Sequence, residues 1–400
     1  MALIAREMRT PPALSDVGAA VESALAGVTI PSGDVAIGVG SRGIARLGEV
    51  VAALVRALRG AGARPFVVPA MGSHGAATAE GQADVLAHLG VTERTVDAPI
   101  IATMDTVQLG TAADGTAVFL DARAAAADAI VVVNRVKPHT SFRASIESGP
   151  TKMLAIGLGK RDGARAVHAR GWAAIGRAIP AVAAVVLERA NVAFALAIIE
   201  NADDEPCRVE AVPAHALLER EPALLAEARA NLPTLPLQTI DVLVVDRVGK
   251  SVSGTGADPN VTGRFPTSAA SGGPDVTRLV YLAMADEHEG NGNGVGLADV
   301  VTERLAGAWD PVATYLNALT TTTAGNARMP MVMPDAETAL AAALAMCPDV
   351  DPAQAVVVRI RDTLHVDRMW LSERALALVP EPYRVLRDPT PFEADTEYDR

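Results

Sequence analysis

Three polar side chains able to grip an anion or move a proton stand at matching places in the first part of this 400-residue chain. Arg42 follows an apolar run ending at Val39, His74 follows one ending near Pro69, and His139 follows one ending at Val133. Imidazole has an ordinary pKa of about 6.5, so it can give or take a proton near neutral pH. A guanidinium grips carboxylate or phosphate with paired hydrogen bonds. Gly40 and Gly43 flank Arg42, and Gly72 and Gly75 flank His74, which lets backbone approach a ligand closely. Any one of the three alone reads as an exposed turn residue. Three in one register favour a ligand site, with Ser41 and Gly43 beside Arg42.

The segment 134–170 adds charge of one sign. It holds Arg135, Lys137, Arg143, Lys152, Lys160, Arg161, Arg165 and Arg170 against only Glu147 and Asp162. A basic stretch in an acidic protein points to a small anionic ligand. Residues 160–170 alone read as a solvated helix face, but Lys152 does not. It lies in SGPTKMLAIGLGK, among apolar residues and glycines, where partial desolvation is expected to lower its pKa and suit it to nucleophilic or attachment chemistry.

Other chemistries lack their signatures. GLGKRDG (157–163) has no phosphate-loop spacing, and GVGSRG is not followed by a strand closed by an acidic residue. H-E-x-x-H, G-x-S-x-G and cysteine clusters are absent. EGNGNGVG reads as a surface turn, and His88, His215, His288 and His365 are isolated. Cys207 and Cys347 are too few and too far apart for a disulfide framework.

The elements that must position these residues follow one grammar: apolar run, glycine-rich turn, amphipathic helix. Strands are expected over 34–39, 65–69 and 129–133, with helices over 47–59 and 80–88. A buried helix over 173–187 leads to a strand over 192–199 and a helix over 214–230. Such alternation predicts an α/β fold with mainly parallel sheets. Prolines in NLPTLPLQT (231–239) mark a boundary. The expected organisation is two α/β domains, 1–236 and 237–400, facing each other across an interdomain cleft. In the second, a strand over 240–246 precedes helices over 274–284, 297–305 and 336–346 and a strand over 355–360. The polar tail from about 380 to 400 is expected to pack back on the first domain.

Composition bounds the function. Half of the residues are apolar, which excludes general disorder, and aromatics are only 3%, so the core is aliphatic. A net charge of -12 argues against a nucleic-acid partner. Neither an export signal in MALIAREMRTPP nor a spanning run is found, so a cytoplasmic protein with no membrane partner is expected.

Taken together, GVGSRG, MGSHGAAT, NRVKPHTSF and SGPTKMLAIGLGKRDGARAVH resemble the nickel-dependent lactate racemase family, most strongly over residues 34–170. The resemblance implies a lysine bound covalently to pyridinium-3-thioamide-5-thiocarboxylic acid mononucleotide (the nickel-pincer nucleotide), and a histidine sixteen residues later on the nickel. Lys152 and His168 have that spacing. It further implies His74 and His139 as paired acid/base groups and Arg42 on cofactor phosphate or substrate carboxylate. Soft sulfur with imidazole suits nickel in a planar site. The family's Gln-and-Lys substrate loop is not found; DRVGKSVSGTGADPNVTGR offers Lys250, Asp258 and Asn260, with Lys250 the candidate for a carboxylate. The reading is a racemase or epimerase of a 2-hydroxy acid, lactate-like or larger, whose partners would include cofactor-biosynthesis proteins. Two alternatives stay open: a Schiff-base or other cleft enzyme using Lys152, and a non-catalytic protein that binds an anionic metabolite.

Overall fold

Strand β1 (Ala2–Ala5) opens the chain but pairs with strands from its far end. The computed structural model describes residues 1–8, 10–41, 43–285 and 290–392, without the side chains of 320 and 321. Contacts divide the chain into two units, Thr10–Leu232, and Met1–Arg9 with Pro233–Arg400.

In the unit Thr10–Leu232 the strands are β2 (Gly33–Val39), β3 (Ala63–Pro69), β4 (Thr106–Thr111), β5 (Ala117–Asp121), β6 (Ala129–Arg135), β7 (Val192–Glu200) and β8 (Pro206–Pro213). Among the described residues one sheet has the order β3-β2-β6-β7-β8, parallel except for β8. Register does the positioning. Val39 pairs with both Pro69 and Val133, so β2, β3 and β6 end level and their following loops emerge at one edge. β6 is buried along nearly its whole length, as befits a strand covered on both faces. Helix α1 (Leu47–Gly60) buries Leu47, Val50, Val51, Leu54, Val55 and Leu58 at helical spacing, closing one face. Helices α2 (Ala79–His88), α3 (Lys160–His168), α4 (Trp172–Arg189) and α5 (Leu217–Ala230) complete the frame. β4 and β5 form a separate hairpin that the sequence reading left out.

The other unit carries β9 (Thr239–Val248), β10 (Asp275–Met284), β11 (Val300–Thr302), β12 (Met331–Met333), β13 (Val357–Ile360), β14 (Arg368–Leu371) and β15 (Arg384–Arg387). Its order is β12-β11-β10-β9-β13-β14-β1-β15, parallel from β12 to β13 and antiparallel beyond. Three expectations are corrected here. Residues 274–284 are strand β10, not a helix, because a ten-residue apolar run fits a doubly covered central strand as well as a buried helix. The expected helix over 297–305 is β11 followed by a short helix (Glu303–Ala308), with Thr302 Oγ1 accepting from Leu305 N at its start. Residues 1–9, expected in the first domain, belong to this second unit, where β1 pairs with β15; the expected tail lies outside the described residues beyond 392.

Candidate active site

Within the unit Thr10–Leu232, three loops from the level ends of β2, β3 and β6 meet the segment 149–158. Arg42 lies outside the described residues. Its neighbour Gly40 is pressed against Asn134 and Met153; a Cβ there would stand 2.1 Å from Asn134 Oδ1. The β3 loop is tied down by Gly72 N–H donating to Gly157 O at 3.0 Å. After β6 the chain doubles back, Lys137 and Ser148 exchanging backbone bonds of 2.9 and 3.2 Å, which brings Lys152 beside the His139 loop. A single turn, Pro150–Lys152, then opens into a wide π-type turn, Met153–Gly157, leading to α3.

His74 has a side-chain partner that the sequence did not reveal. Ser41 Oγ lies 2.6 Å from its Nδ1. A serine hydroxyl can donate or accept, so the pair allows either tautomer while fixing the ring. His139 is held differently. Its Nδ1 accepts from Ser141 N–H at 3.0 Å, so in the neutral ring the proton sits on Nε2. Its own N–H donates to Glu147 Oε2 at 2.6 Å, and Arg229 Nη2 anchors that carboxylate at 2.9 Å.

Lys152 lies within electrostatic reach of His168. Desolvation, reinforced by the nearby Lys152 charge, pushes the His168 pKa down to about 4, so its imidazole is neutral at physiological pH and keeps a lone pair for a metal. Trp172, at the start of α4, connects the histidines: its ring lies 5.6 Å from His168 and 6.1 Å from His139 between centroids. Its Nε1–H is buried without a hydrogen-bond partner. Sequence reasoning missed this residue, although a tryptophan four places after a ligand candidate, in a chain with only three, was a usable signal.

The basic segment is less positive than its composition suggests. Arg135 pairs with Glu200, Arg143 Nη1 lies 3.5 Å from Glu147, and Lys160 Nζ lies 3.1 Å from Asp121. Lys160 is wholly buried. Glu200 and Asp121, outside the segment, thus neutralise part of its field.

The second unit's candidates lie on one loop after β9. Lys250 Nζ donates to Gly254 O at 2.6 Å. Asp258 starts a single turn and accepts from Asn260 N and Nδ2 at 2.9 and 2.8 Å, so these two residues satisfy each other. His365, which reads as isolated, binds Asp362 through Nδ1 at 2.8 Å, and that bond raises its pKa. No described helix is long and apolar enough to cross a membrane, and no group of three metal-ligating His, Cys, Asp or Glu side chains occurs among the described residues.

Residues 24–176, which include every loop of this site, match the family model described as the lactate racemase N-terminal domain. That part of the chain is thus similar to the N-terminal domain of the lactate racemases. The lactate racemase apoprotein from Thermoanaerobacterium thermosaccharolyticum is similar in structure, with a TM-score of 0.56 over 88% of this chain and 92% of that one. Sequence identity is 12%, so that likeness speaks for the shared fold. No curated protein matches. The match stops within α4, so the loop with Lys250, Asp258 and Asn260 falls outside it.

Proposed function

We propose that this protein racemises or epimerises a 2-hydroxy acid, with the nickel-pincer nucleotide attached at Lys152 and His168 as the protein's nickel ligand. The observation that carries the reading is a desolvated, neutral His168, packed on Trp172 and within electrostatic reach of Lys152, in a chain whose N-terminal part matches the lactate racemase model. The residues fit: an amine for covalent attachment and one imidazole for the metal, with the buried Trp172 N–H in the same wall able to donate a hydrogen bond. When bound, the nucleotide supplies a hydride acceptor.

The chain's own residues handle protons. His74, poised by Ser41, takes the substrate hydroxyl proton at Nε2 for one enantiomer. His139 donates a hydrogen bond from Nε2 to the substrate oxygen. For the other enantiomer it must accept a proton there, so its ring proton has first to pass to Nδ1, which releases the Ser141 contact at a cost of about 0.5–1.5 kcal/mol. Arg42 and Ser41 are proposed on the cofactor side. Lys250 is the proposed cation for the substrate carboxylate, with Asp258 and Asn260 shaping its loop.

Protein made alongside the cofactor-building enzymes should carry an adduct of nucleotide mass on the peptide with Lys152. His168→Ala should keep the adduct and lose most of the nickel, and chiral chromatography should show interconversion of 2-hydroxy acids. An adduct on another lysine, or none under loading that works for a known racemase, sinks the proposal.

A further inference from the structure

In a site sealed from solvent, the Lys160 ammonium donates to Pro69 O at 2.5 Å and Gln82 Oε1 at 3.2 Å and forms an ion pair with Asp121 Oδ2 at 3.1 Å. Gln82 is as deeply buried, and its Nε2 donates to Gly72 O at 2.8 Å and reaches His74 O at 3.4 Å. The amide can point only one way. An ammonium cannot accept and carbonyls cannot donate, so Oε1 must face Lys160 and Nε2 the loop. The chain of contacts joins the first residue of α3, whose last residue is His168, to the backbone that carries His74. That backbone takes a course only glycine adopts readily, Gly72 and Gly75 having φ of +60° and +61°.

We propose that Gln82, oriented by the buried Lys160–Asp121 pair, is a positioning residue that fixes His74 relative to the Lys152–His168 pair. It acts through the loop and touches no reacting atom. The inference rests on the racemase reading for its catalytic consequence but not for its geometry. Ser41 holds the ring from one side; Gln82 holds the backbone from the other. A proton-transfer group displaced by a fraction of an ångström loses rate without losing substrate affinity.

The test is Gln82→Met, close to the same length and apolar. Lys160 keeps Asp121 and Pro69 O, so no buried charge is orphaned and the fold should survive. In the chain without cofactor, the His74 imidazole resonance should shift or broaden in carbon–proton NMR spectra. In the loaded enzyme kcat should fall about tenfold or more, at unchanged KM, nickel content and Lys152 adduct. Gln82→Glu retains an acceptor for Lys160 but no donor for the loop, so it should copy both effects and decides the matter if Gln82→Met fails to fold. An unmoved His74 resonance, or kcat within twofold of the parent in a folded variant, overturns the proposal. A moved resonance in a parent that racemises nothing upholds the positioning role and refutes the racemase reading.

Discussion

Glu221 sits one turn into α5 with its carboxylate sealed from solvent, accepting from Thr151 N and Oγ1 at 2.9 and 2.6 Å while Oε1 has no partner. It therefore braces the turn that ends in Lys152. Burial pushes its pKa up to about 7, against the downward pull of the two Thr151 bonds. The folded chain holds this proton more tightly than the unfolded chain, so the stability it contributes is full below the unfolded value near 4.5. That contribution is lost as pH rises towards 7. The loss is about 3 kcal/mol across that window, at 1.36 kcal/mol per unit. Urea unfolding at pH 5 and pH 8 should show the parent losing about 2.5 kcal/mol more stability than Glu221→Gln, part of the loss being already complete at pH 5. Parallel curves for the two proteins would mean that Glu221 does not titrate there. Nothing in the sequence marks this glutamate among the charged residues of its helix, because its partner is seventy positions away.

Elements were legible where two independent signals agreed. α1 has apolar residues at helical spacing, and the structure buries them against the β2–β3–β6 face. Leu54 is fully buried there. Leu54→Ala should cost about 2–5 kcal/mol, the transfer term plus an unfilled cavity. Denaturant melts of the unit's signal would measure it, and a loss below 1 kcal/mol would show that the face is not packed as described. β10 had one signal only. DVTRLVYLAM is apolar and ten residues long, and local pattern cannot choose between helix and strand until β9 and β11 pair on either side of it. β1 and β15 were invisible for the same reason: each is four residues long and becomes a strand through its neighbours.

On the scale of the molecule, the chain's beginning is built into the unit made by its end. β1 lies between β14 and β15, with Leu3 and Ile4 fully buried. Each such side chain contributes about 1.5–3 kcal/mol through burial. Removing residues 1–8 should speed hydrogen exchange in β13 and β14, while β2, β3 and β6 keep their protection. Faster exchange in β2 instead would contradict the assignment of β1 to the second unit.

The sequence by itself determined the parallel α/β class, the loops carrying His74 and His139, and the Lys152–His168 spacing. These are local properties: periodicity, turn glycines, and residue type. Tertiary structure alone decided which groups meet. Level strand ends bring Ser41 to His74, a doubled-back loop sets Lys152 beside the His139 loop, and Trp172 fills the wall between two histidines. It also decided which charges remain, because Asp121, Glu147 and Glu200 reach basic residues far from them in sequence or across a turn. A desolvated charge takes whatever partner packing supplies, and packing is set by register, which no single segment encodes.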